Sequence, residues 1–118
     1  MNQLSNNVMS TIGGFMNIER LVYLSEVAKS GSFLIASQMN FVSESVIRQS
    51  INKLENELGF KLFKSCKNSK VVLTIEGLQL ISLVKELLIE YRELEQLVKS
   101  IKNNSYSYVN VMYDVSVL

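Results

Sequence analysis

Residues 31–63 read GSFLIASQMNFVSESVIRQSINKLENELGFKLF, and this stretch decides the fold. Gly31 supplies the left-handed residue that closes one helix, and Ser32 offers a side-chain oxygen to cap the next. A short helix then runs from about Phe33 to Met39. Asn40-Phe41-Val42-Ser43 reads as a compact turn, with Ser43 as the N-cap of a further helix that Gly59 ends. The apolar positions Val46, Ile47, Ile51, Leu54 and Leu58 mark that helix's inward side. Its other side carries Glu44, Ser45, Arg48, Gln49, Asn52 and Lys53. Two short helices joined by a tight turn, the second amphipathic with a polar outer face, describe a helix-turn-helix.

The flanking sequence extends this unit in both directions. Before it, Ile18, Leu21, Val22, Leu24, Val27 and Ala28 recur in steps of three and four, predicting a helix from Ile18 to Ser30. After it, the apolar runs Phe60–Phe63 and Val71–Thr74 bracket the polar segment Lys64–Lys70, the pattern of a hairpin, which beside a helix-turn-helix is a wing. Thr74 then caps a long helix from about Ile75 to Lys102. Within it Leu80, Leu87, Leu94 and Ile101 repeat every seven residues, Leu83 and Leu97 fall at d-type positions, and Val84, Tyr91 and Val98 broaden the stripe. Residues 1–15 are polar, with Gly13-Gly14 just before their end, which predicts a flexible tail. From Val109 to Val117 apolar and polar residues alternate as in a strand, with no second strand to pair it. The expected fold class is mainly α: a winged helix-turn-helix over 16–77, a dimerisation helix over 75–102 and one C-terminal β-strand within 103–118.

Composition narrows the function. The 118 residues contain no His, no Pro, no Trp and a single Cys, with 12 basic and 11 acidic side chains. Without histidine there is no His-dependent triad and no His pH switch, and most catalytic zinc sites are excluded. Cys66 alone forms no intramolecular disulfide, which predicts a reducing, cytoplasmic setting. No phosphate loop, metal cluster or nucleophile–base pair is present, so the expectation is a protein that is not an enzyme and uses no cofactor and no metal. The apolar stretch Leu78–Ile89 is interrupted by Gln79, Ser82, Lys85 and Glu86, far short of a membrane span.

Residues 16–77 resemble the N-terminal winged helix-turn-helix of LysR-type transcriptional regulators. The resemblance is carried by Val27-Ala28, Gly31-Ser32-Phe33, Ala36, Ser43, Ile51, Leu54-Glu55, Leu58-Gly59, Leu62-Phe63 and Leu73-Thr74 with Gly77, in the family's order. The long helix resembles the family's linker helix, through which two subunits pair, and Tyr108–Leu118 resembles the opening strand of its effector domain. The family commonly has Gln where Glu44 stands, a small residue at Val46, Ser at Arg48 and Gln at Ser50. It often has a second alanine at Ser37 and Leu at Asn40, and its wing is one residue shorter, with Arg near Ser65.

The expected function is sequence-specific duplex DNA binding by a homodimeric regulator, truncated before its effector domain and sensing no small molecule. On the recognition helix, Arg48 suits guanine and Gln49 or Asn52 adenine, while Ser43, Ser45 and the free N–H groups of the helix start suit phosphate. Glu44 matches the helix dipole and accepts from cytosine, and Lys53 adds charge to the same face. Ser32 at the preceding helix start and Lys64, Lys67 and Lys70 on the wing are expected to grip the backbone. Between Glu44 and Lys70 the local charge is +3, against +1 overall. The pairing stripe is Leu80, Leu83, Val84, Leu87, Tyr91, Leu94, Leu97, Val98 and Ile101, on a helix near ~40 Å long. The alternative is a partner that pairs with a full-length LysR-type regulator without specific DNA binding of its own.

Overall fold

Each helix starts where a side-chain oxygen meets free backbone N–H groups. Asn17 Oδ1 accepts from Arg20 N (2.8 Å), Ser32 Oγ from Ile35 N (3.0 Å), Ser43 Oγ from Val46 N (3.3 Å) and Thr74 Oγ1 from Gly77 N (3.0 Å). The helices so begun are α1 (Ile18–Ser30), α2 (Phe33–Asn40), α3 (Glu44–Leu58) and α4 (Ile75–Lys102). Between α3 and α4 lie β1 (Phe63–Ser65) and β2 (Val71–Leu73), joined through a 3-10 turn at Lys67–Ser69. The computed structural model describes residues 16–103, so the expected tail and C-terminal strand lie outside the described residues. Gly31 (φ 70°) and Gly59 (φ 87°) close α1 and α3 in the left-handed region, as their positions predict.

Helices α1, α2 and α3 pack on one another in pairs around a core in which Leu24, Val27, Ile47, Ile51, Leu54 and Leu62 are fully buried. Ala36 and Ser37 are buried as well, and the Ser37 hydroxyl is satisfied by donating to Leu34 O at 2.6 Å. Val46, expected to face inward, is 41 % exposed. The buried arc of α3 runs through Ile47, Ile51, Leu54 and Glu55, and Val46 stands one ~100° step outside it.

Glu55 also explains why the first strand of the hairpin begins later than expected. Its Oε2 accepts from Leu62 N (2.7 Å) and Phe63 N (3.3 Å), so the chain leaving α3 is committed to this carboxylate before it can pair with β2. The antiparallel register is then Phe63↔Leu73, Lys64↔Val72 and Ser65↔Val71. At the next position of this register Thr74 N still donates to Leu62 O (2.9 Å), but Leu62 N is taken by Glu55 and the Thr74 hydroxyl donates to Lys61 O (2.7 Å), so the ladder ends there. Val71 N donates to Gly31 O (3.0 Å), tying the wing to the α1–α2 corner.

The first turns of α4 seat on the base of the hairpin. A Cβ at Gly77 would lie 2.5 Å from Leu62 O, so only glycine fits. Gly77, Ile81 and Val84 follow at helical spacing and are all buried. Val84, expected on the pairing stripe, is only 7 % exposed and lies with the core of its own chain. One compact unit ends at Lys85 and a second begins at Glu86. Along α4, Leu83, Leu87, Leu94, Leu97, Val98 and Ile101 are exposed. Among the described residues, no helix is long and apolar enough to cross a membrane.

Candidate nucleic-acid interface

The outer face of α3 is set by the arc that α3 buries. With Ile47, Ile51 and Leu54 turned inward, Ser45, Arg48, Gln49, Asn52 and Lys53 are exposed and Glu44 is half-buried. Ser43 is exposed too, although its hydroxyl is occupied in capping α3. A cleft separates the starts of α2 and α3 from the wing tip, lined among others by Ser32, Phe33, Glu44, Arg48, Asn68 and Lys70. Four of the residues singled out in the sequence, Ser32, Glu44, Arg48 and Lys70, therefore meet around one opening. Gln49, Asn52 and Lys53 continue along α3, and Lys64 and Lys67 stand exposed elsewhere on the wing.

The cleft is electrostatically uneven. Arg48 Nε and Nη2 both lie 2.7 Å from Glu44 Oε2, one helical turn away, so this arginine carries its counter-charge with it. Its guanidinium also lies over the Phe33 ring, 4.4 Å from the centroid. Phe33 in turn meets Phe63 edge-to-face, with centroids 6.2 Å apart and an interplanar angle of 70°. Among the described residues, the positive charge of this side without an ion-pair partner therefore sits on Lys53 further along α3 and on the lysines of the wing. There, Asn68 (φ 62°) and Ser69 (φ 61°) take left-handed conformations, and Cys66 N donates to Lys70 O at 2.7 Å to close the turn.

Sequence reasoning missed Phe33 as a support for Arg48 and Glu55 as the anchor of the wing. Phe33 stands fifteen positions before Arg48, beyond the reach of any local pattern. Glu55 did leave a signal, a carboxylate one residue after Leu54 and four after Ile51, inside the buried arc. Among the described residues, no group of three or more His, Cys, Asp or Glu side chains is placed to hold a metal ion.

A three-helix core with a hairpin wing, presenting one helix with a polar exposed face beside wing lysines, defines the winged helix-turn-helix class of DNA-binding domains. Residues 18–78 match the bacterial regulatory helix-turn-helix protein family, lysR type, and the chain belongs to that family. Over 48 residues it is 48 % identical to YwbI of Bacillus subtilis (strain 168), an uncharacterised HTH-type transcriptional regulator. That match covers 41 % of this chain and only 16 % of the length of YwbI. Among solved structures, a full-length OxyR variant from Pseudomonas aeruginosa is similar with a TM-score of 0.66 at 26 % identity, over 72 % of this chain and 28 % of that one. The BenM DBD in its complex with catB site 1 DNA shares the fold, with a TM-score of 0.67 at 24 % identity over 76 % of this chain and 96 % of that one. The chain thus carries the helix-turn-helix of a family of DNA-binding transcriptional regulators.

Proposed function

We propose that this chain binds duplex DNA sequence-specifically as a homodimer and thereby regulates transcription. The observation that carries this reading is the placement of the exposed polar face of α3 beside a cleft whose far wall is the lysine-bearing wing. In this reading α3 enters the major groove, with Arg48, Gln49 and Asn52 at base edges and Glu44 toward cytosine. Ser43, Ser45, Lys53 and Ser32 lie along the flanking phosphates, and Lys64, Lys67 and Lys70 hold the backbone from the wing. The exposed apolar residues of α4, among them Leu83, Leu87, Leu94, Leu97, Val98 and Ile101, pair two subunits. Pairing places two recognition helices on successive major-groove faces, so the site is a palindrome interrupted at its centre.

Selection from a random duplex library by the purified chain at moderate salt tests the proposal. The expected result is enrichment of one palindromic motif. Affinity for that motif should fall by about 10³–10⁵ between ~50 and ~200 mM salt, for contact with ~6–10 phosphates. No enrichment by a folded protein, or a salt-independent affinity, overturns it.

A further inference from the structure

Glu44, Arg48 and Phe33 are three residues with one geometry. Glu44 Oε2 takes both Nε and Nη2 of Arg48 at 2.7 Å, which occupies the side edge of the guanidinium. Phe33 covers one face of the same group, and the edge-to-face contact with buried Phe63 holds that ring in turn. Yet the Arg48 side chain is 52 % exposed, so the restraint comes from these partners and not from burial. Of the five N–H donors of an arginine, this leaves the end edge, formed by Nη1 and the second Nη2 hydrogen.

That residual edge discriminates between ligands. A phosphate is drawn to net positive charge, and Glu44 cancels the charge of Arg48 and repels the phosphate itself. Guanine offers two uncharged acceptors, O6 and N7, spaced for two parallel N–H donors, so its affinity depends on geometry that the pair leaves intact. The cytosine opposite presents its N4 donor beside O6, on the side where a carboxylate is the matching group. We propose that Glu44 and Arg48 act as one unit that reads a single G·C pair in each half-site, with Phe33 as the positioning residue behind it. This rests on the reading of α3 as a DNA-recognition helix, and it adds which base pair is read, by which edge, and why Arg48 does not serve the backbone.

Selection from the same random duplex library, run with wild type, Arg48→Met, Arg48→Lys, Phe33→Leu and Phe33→Tyr, tests it. Wild type should enrich a motif with G·C at one fixed position of each half-site. Arg48→Met should keep the remainder of the motif and lose preference at that position by about ten- to a hundredfold, and Arg48→Lys should not restore it, because an ammonium has no fork. Phe33→Leu should weaken preference at the same position alone, and Phe33→Tyr, which keeps a ring under the guanidinium, should restore it. A merely structural Phe33 would instead lower melting temperature and weaken binding to all sequences alike. Three outcomes overturn the proposal: an unchanged motif with Arg48→Met, a uniform loss of affinity with a salt slope shallower by about one, as a phosphate contact gives, or equal effects of Phe33→Leu at every position. Failure of the wild type to enrich any motif overturns the DNA-binding reading itself, which separates the two failures.

Discussion

Phe41 holds a left-handed backbone, φ 56°, in the turn between α2 and α3, with its ring 95 % exposed. Its amide donates to Gln38 O, ending α2, so the conformation is required by the turn and not by the ring. A bulky residue there costs about 1–2 kcal/mol of backbone strain, which Asn tolerates far better. Phe41→Asn should therefore raise stability by about 1 kcal/mol in chemical denaturation, with no loss of buried contacts. Tyr23 makes a pH-dependent contribution. Burial and the charge of Glu19, one turn earlier, hold its phenol above the ordinary value of 10.0. The unfolded chain releases this proton first, so stability is intact below about pH 10 and declines as pH rises through the elevated native value. Comparing melting at about pH 9 and about pH 11, Tyr23→Phe should show a smaller alkaline loss than wild type. What was legible at this scale was local chemistry: Gly31, Ser32, Ser43 and Gly59 act within three or four residues of themselves, and their roles follow from residue type. The Arg48–Phe33 contact depends on how α2 crosses α3, which no local pattern encodes.

At the scale of elements, the wing is held to the helices by few but demanding contacts. Its strands are three residues each, too short to persist alone. Glu55 fixes where β1 begins, with Lys61 Nζ 3.6 Å from its other oxygen. Removing the carboxylate leaves two buried N–H groups without acceptors, at roughly 1–3 kcal/mol each. Glu55→Ala should cost about 2–5 kcal/mol, and the same loss should appear as weaker DNA binding through a disordered wing. Gly77 has the opposite sensitivity, to added rather than removed atoms. Alanine is the better helix former by about 1 kcal/mol, yet its methyl would stand 2.5 Å from a backbone oxygen that also accepts from Thr74 N. Sterics win, and Gly77→Ala should destabilise by on the order of 3 kcal/mol in thermal or denaturant unfolding. The sequence announced the hairpin and α4 but displaced the first strand and did not reveal that Val84 is buried within its own chain. Hydrophobic spacing says that a stripe exists, and where two apolar faces overlap on one helix it does not say which neighbour covers which residue. On α4 the steps Gly77, Ile81, Val84 and Leu80, Leu83, Leu87 run side by side.

For the whole molecule, the proposed pairing through α4 makes stability a property of concentration as well as of sequence. If folded subunits associate, each tenfold rise in concentration adds up to about 1.4 kcal/mol per dimer, so melting temperature should climb over a hundredfold range. Leu94→Lys combined with Leu97→Lys, both at exposed positions, should abolish that dependence while leaving the helix content intact. A melting temperature independent of concentration in the wild type would refute the homodimer. The class of the molecule was readable from residues 31–63 because turn chemistry, amphipathic period and outer-face polarity agree there, and agreement between levels is what makes a sequence specify a fold. The reading edge of Arg48 was not readable, since it depends on a carboxylate and a ring that only the folded chain brings to it. Glu55, finally, has a consequence in time. The amides of Leu62 and Phe63 are buried and donate to Glu55 Oε2, so their protons should exchange with solvent only as often as that side chain lets go. The root of a hairpin of two three-residue strands should thereby outlast its tip in hydrogen exchange.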